Sequence, residues 1–125
     1  MAIALSLAIL MSIGTFFVHT FIGGIYVARP LLADKSLPVA SKWLNYYCWH
    51  VTTIMIVFLG IGFWLCLQDQ ENSLMIGFLA ALATASAILS AAVAIKGQIN
   101  PLRFPSTSLF AAIAMCGWVA LWQAM

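Results

Sequence analysis

The chain has 125 residues, of which 65% are hydrophobic and only 6% are charged, and its mean hydropathy is +1.09. Soluble globular domains carry about 25% charged residues, so this composition excludes an ordinary water-soluble fold and predicts an integral membrane protein in contact with the lipid bilayer. The formal net charge is only +2. A few basic residues in short loops do not form the basic surface that nucleic-acid binding requires.

Four apolar runs, separated by short polar connections, cover residues 2–27, 43–67, 73–95 and 106–125, and the second helix could begin near Leu37. About 20 helical residues cross the hydrocarbon core of a bilayer, and lipid admits only helices or closed barrels as spanning structures. The runs are continuously apolar and do not alternate with polar residues. We therefore predict an all-α, polytopic membrane protein: a single domain over residues 1–125 that forms a bundle of four transmembrane helices.

The basic residues divide unevenly between the connections. All five lie in or beside the first and third, as Arg29, Lys35, Lys42, Lys96 and Arg103. The second connection, residues 68–72, carries only Asp69 and Glu71. Because cytoplasmic loops are enriched in Lys and Arg, we expect both termini to be non-cytoplasmic. Short loops with this charge bias are typical of a multi-pass protein of a bacterial inner membrane.

The third run is rich in small residues at helical spacing. In lipid, small residues allow helix backbones to approach closely. We therefore expect the third helix to lie at the centre of the bundle, or to contact a second copy or another membrane subunit. The candidate packing residues are Gly77, Ala81, Ala85, Ala87, Ser90 and Ala91.

The third connection predicts how the fourth helix begins. Pro105 marks the end of this connection, because proline interrupts a preceding helix. Ser106 or Thr107 is then expected to cap the fourth helix, since hydroxyl side chains accept hydrogen bonds from the first free N–H groups.

Two histidines within the spans are the candidate functional residues. His19 lies eight residues before the end of the first run, and His50 lies seven residues after the start of the second. At 1.5 Å per residue, both lie about 10–12 Å below the same membrane interface. Helices that follow each other in sequence usually touch, so we expect the two imidazoles to face each other. The residues expected to line this site, with two serines at comparable depth, are Thr15, Gly23, Tyr26, Tyr46, Thr53, Ser86 and Ser90.

Several kinds of chemistry are open to such a pair. The imidazoles could hold the iron of a b-type haem, or bind a transition metal with Cys48 as a third ligand. They could line a quinone or proton site, or simply hydrogen-bond between helices. Cys48 and His50 are two residues apart and point to different helix faces, which weakens the metal interpretation. No carboxylate lies deep in a run, which argues against a proton-driven pump.

The three cysteines lie inside apolar runs and form no C-x-x-C pair. Their odd number leaves at least one thiol free. We expect Cys48, Cys66 and Cys116 to be small, buried side chains.

These features favour a non-enzymatic accessory or assembly subunit, or an orphan membrane protein, packed through its third helix. One alternative is a redox module that holds haem b or a quinone between His19 and His50. A small transporter is the second alternative.

Overall fold

In the computed structural model, which describes residues 1–69 and 72–125, the described residues form four helices long and apolar enough to span a membrane. Their bounds are Ala2–Ala33 (α1), Val39–Gln68 (α2), Ser73–Lys96 (α3) and Pro105–Ala124 (α4). The predicted all-α bundle of four transmembrane helices is therefore confirmed. Glu71, predicted in the second connection, lies outside the described residues.

Helix α1 is continuous but changes its hydrogen-bonding pattern along its length. It begins as an α-helix over Ala2–Phe17, becomes a π-helix over Val18–Ala28, and returns to an α-helix over Arg29–Ala33. The π-helix is rare and occurs frequently at functional sites, usually as a single turn. A π-helical segment of 11 residues therefore marks this part of α1 as unusual.

The four helices run antiparallel in sequence order and form a ring. Helix α1 packs against α2 and α4, while α3 packs mainly against α4 and more sparsely against α2. One end of the ring carries residues 34–38 and 97–104; we call it the basic end and the adjoining part of the bundle the basic half. The opposite end carries both chain termini; we call the adjoining part the terminal half. The prediction that α3 is the centre of the bundle is wrong, because in a ring α3 has two main neighbours, as the other helices do.

The hydrophobic core lies almost entirely in the terminal half. Its largest fully buried side chains are Leu5 and Ser12 of α1, Ile56, Leu59, Phe63 and Cys66 of α2, Ile76 of α3 and Ile113 of α4. Gly117 brings α3 and α4 together, since a Cβ at this position would lie 2.9 Å from the Cβ of Ala80. Small residues at such crossings maximise the van der Waals packing that holds membrane helices together.

Hydroxyl groups join α3 to α4 in the basic half. The Oγ of Ser90 lies 2.8 Å from the Oγ of Ser106 and 2.9 Å from the Oγ1 of Thr107. The prediction that Ser106 or Thr107 caps α4 is wrong, because Phe104 is the N-cap residue and both hydroxyls pair with Ser90 instead. Hydrogen bonds between helices therefore take the place of a local cap.

Candidate functional site

A cleft of about 510 Å³ opens in the basic half between α1, α2 and the beginning of α4. This volume falls in the range of small-molecule sites, about 300–1,000 Å³, which are mostly apolar with a few well-placed polar groups. Among the described residues, the polar or aromatic side chains of the lining are Thr15, His19, Tyr26, Trp49, Thr52, Phe104, Ser106 and Phe110.

The imidazole of His19 is held in place by Trp49. The two rings stack with their centroids 3.9 Å apart and their planes 18° apart. The His19 Nε2 also lies 3.2 Å from the backbone carbonyl oxygen of Trp49. A carbonyl only accepts hydrogen bonds, so Nε2 carries the proton in the neutral ring, and Nδ1 keeps a lone pair. The Thr53 Oγ1 donates to the same carbonyl at 3.2 Å, which ties a second predicted residue to this arrangement.

Gly23 makes room for the indole of Trp49. A Cβ at position 23 would lie 2.5 Å from the Cη2 atom of that ring, a distance that real Cβ contacts do not reach. Gly23 follows His19 by about one helical turn and lines the same cleft. The absence of a side chain at Gly23 therefore allows Trp49 to reach the face of α1 that carries His19.

The other two α1 residues predicted for this face also line the cleft. The Thr15 hydroxyl donates to the carbonyl oxygen of Met11 at 2.7 Å, so its hydrogen is already used within α1. Tyr26 is 76% exposed and stands toward the basic end. The spacing of Thr15, His19, Gly23 and Tyr26 thus places all four along one wall.

His50 occupies a different side of α2 from the cleft. It is exposed, and its ring meets the edge of Tyr46 with centroids 4.5 Å apart and planes at 86°. The expectation that the two imidazoles face each other is wrong, because Trp49 takes the place beside His19. Consecutive residues point about 100° apart around an α-helix, so α2 cannot turn both Trp49 and His50 toward α1.

The cysteines do not complete a metal site with these histidines. Within residues 1–69 and 72–125, no group of three or more His, Cys, Asp or Glu side chains is placed to hold a metal ion. Cys66 is buried as expected, and Cys116 is intermediate. Cys48 is exposed, so the expectation of burial is wrong there: no neighbouring helix covers this part of α2.

Trp49 and the beginning of α4 are the parts of the site that sequence reasoning missed. The α4 contribution runs from Phe104 to Phe110. Ser86, expected at the same depth, instead lies 3.8 Å from the sulfur of Met55, and Ser90 pairs with α4. One signal for α4 was present, since Pro105 starts that helix at the end of the bundle where His19 lies.

The predicted packing residues of α3 lie on more than one side of the helix. Gly77, Ala87, Ser90 and Ala91 are partly buried, whereas Ala81 and Ala85 are exposed. The fully buried small residues are their neighbours Ala80 and Ala83.

No family model, curated protein or solved structure matches this chain. Only the geometry of the chain itself therefore bears on its function.

Proposed function

We propose that this protein is a non-enzymatic membrane protein that binds a flat, lipid-soluble molecule in the cleft of the basic half. The observation that carries the proposal is the oriented imidazole of His19, stacked on Trp49 within a largely apolar cleft of ligand size. The apolar lining would hold the ring or chain of the ligand, and the few polar groups would fix its orientation.

The hydrogen bond from His19 to the Trp49 carbonyl narrows the chemistry of the ligand. With Nε2 donating to that carbonyl, Nδ1 of the neutral ring is an acceptor and favours a ligand hydroxyl. A quinol offers such a hydroxyl on a flat ring, and the faces of Trp49 and Phe104 suit ring contacts. A quinone carbonyl only accepts, so neutral His19 should bind the reduced form more tightly than the oxidised form.

Titration of the full-length protein in lipid nanodiscs with a short-chain quinol, followed by tryptophan fluorescence quenching, tests this proposal. We expect saturable quenching that becomes about five-fold weaker in affinity in His19→Phe, which keeps the ring but loses one hydrogen bond of about 1 kcal/mol. His50→Phe is the matched control outside the cleft and should bind like the unmodified protein. Quenching that does not saturate, or equal weakening in both variants, would contradict the proposal.

Haem b is less well supported than a quinol. Bis-histidine ligation needs two imidazoles directed at one iron, whereas His50 meets Tyr46 outside the cleft, and the Nε2 of His19 is engaged by Trp49. A reduced-minus-oxidised absorbance spectrum of protein expressed with ample haem separates the two. A b-type band that disappears in both His19→Ala and His50→Ala would favour haem over the quinol.

The role of an accessory or assembly subunit is a second candidate, favoured by the outer surface of α3. This helix is the least covered of the four, with 22% of its most apolar window buried against 28% for each of the others. Its exposed Ala81 and Ala85 are small enough for a neighbouring membrane helix to approach closely.

Two neighbouring alanines of α3 test that role. Ala85→Leu enlarges an exposed position and should reduce co-purification of a partner or self-association while leaving thermal stability unchanged. Ala83→Leu overfills a fully buried position and should cost about 1–3 kcal/mol of stability. A partner or dimer retained at full yield in Ala85→Leu would contradict a role for this surface.

The basic end is proposed to face the cytoplasm of a bacterial inner membrane, because it carries all five Lys and Arg residues. Reporter fusions at Met125 test this orientation. A reporter active only outside the cytoplasm should be active there, and an inactive one would reverse the assignment.

A further inference from the structure

The face of α2 that points into the bundle changes character along the helix. Steps of three and four residues place seven side chains on this face: Asn45, Cys48, Thr52, Ile56, Leu59, Phe63 and Cys66. We call them the inward stripe. The four in the terminal half are at most 2% exposed. In the basic half, Asn45 and Cys48 are exposed and Thr52 is partly buried, so the stripe becomes polar where it loses its cover.

The polar part of this stripe extends into the hydrocarbon region. Trp43 and Trp64 mark the two interfaces on α2, since tryptophan prefers the headgroup level, and they are separated by about 31 Å at 1.5 Å per residue. By the same measure, Cys48 lies about 7 Å and Thr52 about 13 Å inside the interface near Trp43. These side chains are thus at a depth where contact with lipid is unfavourable for polar groups.

Polar groups at such depth almost always face the bundle interior or a water-filled cavity. The direction of the inward stripe is that of the core, so Asn45 and Cys48 point toward the gap between α2 and the other helices. Thr52 joins this gap to the cleft, because it belongs to the stripe and also lines the cleft. Ser106 adds a hydroxyl to the α4 side of the same cleft.

We propose that the polar part of the inward stripe lines a water-filled vestibule, which opens at the basic end and leads to the cleft beside His19. The vestibule would hydrate the headgroup of a cleft ligand and connect His19 Nδ1 to bulk water. Only this role rests on the proposed function, because the vestibule itself follows from the stripe.

The native cysteines provide the first test. The unmodified protein in lipid nanodiscs, which expose both membrane faces to water, is treated with a charged, membrane-impermeant maleimide, and labelled peptides are quantified by mass spectrometry. Cys48 should react at least ten-fold faster than Cys66, which lies on the same stripe but is 2% exposed. A Cys48 that reacts as slowly as Cys66 would overturn the proposal, since lipid or protein would then cover the stripe.

A second pair of positions separates water from lipid. Thr52→Cys lies on the stripe, while Ile54→Cys lies about 200° around the helix at nearly the same depth and replaces a 57% exposed side chain. Both are made in the Cys48→Ser background and checked for unchanged helicity. We expect Thr52→Cys to react and Ile54→Cys not to react; equal rates would overturn the proposal.

The labelling and the quinol titration fail independently. Rapid labelling of Cys48 without saturable quinol binding would remove the proposed ligand but keep the vestibule. Quinol binding with an unreactive Cys48 would remove the vestibule but keep the ligand. Because the comparison of Cys48 with Cys66 needs no substitution, it remains decisive even if a variant does not fold.

Discussion

The terminal half and the basic half of this bundle are built from the same four helices but differ in how the helices meet. In the terminal half, Phe63, Ile76 and Ile113 are fully buried, and Gly117 brings α3 close to α4. In the basic half, the described residues of α2 before Ile56 include no fully buried side chain, and a cleft opens between α1, α2 and α4.

This difference indicates a division of roles along the membrane normal. Close packing in the terminal half holds the helices in register, which allows the basic half to leave polar groups uncovered. The π-helical segment of α1, with His19 and Gly23, lies in the less packed half. Sites that bind or move are commonly drawn from the less densely packed parts of a protein.

The largest expected effect comes from removing a ring from the packed half. Phe63→Ala should lower the free energy of unfolding by about 2 kcal/mol, because roughly 100 Å³ of cavity costs about 24 cal/mol per Å³. Leu44→Ala, in the basic half at 63% exposure, should have little effect. Thermal unfolding in detergent measures both variants. Equal destabilisation would contradict the assignment of the core to the terminal half.

A smaller effect is expected at the contact that shapes the cleft. Gly23→Ala places a Cβ against the Trp49 ring and should cost about 1 kcal/mol, the low end for overpacking, because the open cleft lets the indole move. It should also weaken quinol binding by displacing the ring that orients His19. Gly24→Ala is the matched control, since a Cβ there meets nothing within 4 Å. Near-ultraviolet circular dichroism and thermal unfolding follow the change, and identical behaviour of the two variants would refute this account of Gly23.

The hydroxyl pairing between α3 and α4 should contribute less still. Hydrogen bonds between membrane helices average about 0.6 kcal/mol, so a double-mutant cycle of Ser90→Ala and Thr107→Val should give a coupling near that value. Ser108→Ala, at an exposed position of α4, serves as the control substitution. A coupling of zero would mean that the hydroxyls do not hold the two helices together.

The smallest effect concerns the loop at the basic end. The hydroxyl of Ser36, 2.6 Å from the Asp34 carboxylate, and the backbone N–H of Ser36, at 2.7 Å, lower the pKa of Asp34 below its ordinary value. A carboxyl group with a lowered pKa stabilises the folded state above its ordinary pKa, and this contribution is lost as the pH falls through the lowered value. Ser36→Ala should raise the pKa of Asp34 toward normal in a carboxyl NMR titration. An unchanged titration midpoint would show that the hydroxyl is not the cause.

Patterns within a single helix were predictable, because one helical repeat decides them. The spacing of Thr15, His19, Gly23 and Tyr26 placed these residues on one face, and all four line the cleft. The relation between helices was harder to predict. Which of Trp49 and His50 faces α1 depends on the rotation of α2 about its axis, and neighbouring residues differ by about 100°.

Small residues show the same limit. The four-residue spacing in α3 predicted close packing, but the buried residues are Ala80 and Ala83, whereas Ala81 and Ala85 are exposed. At the end of α3, Gly97 indicated a turn, yet Gln98 adopts the positive φ of 59°. In each case the pattern predicted the kind of feature, and the neighbouring elements decided which residue provides it.

The sequence by itself determined that this protein is an all-α membrane protein with four transmembrane helices and basic connections at one end. It also determined the depth and the helix face of His19. These properties follow from hydrophobic length and helical periodicity, which act within each segment. Only the tertiary structure decided that Trp49 orients His19, that α4 completes the cleft, and that the core lies in the terminal half. Those outcomes depend on the rotation and separation of whole helices, which the sum of many side-chain contacts sets.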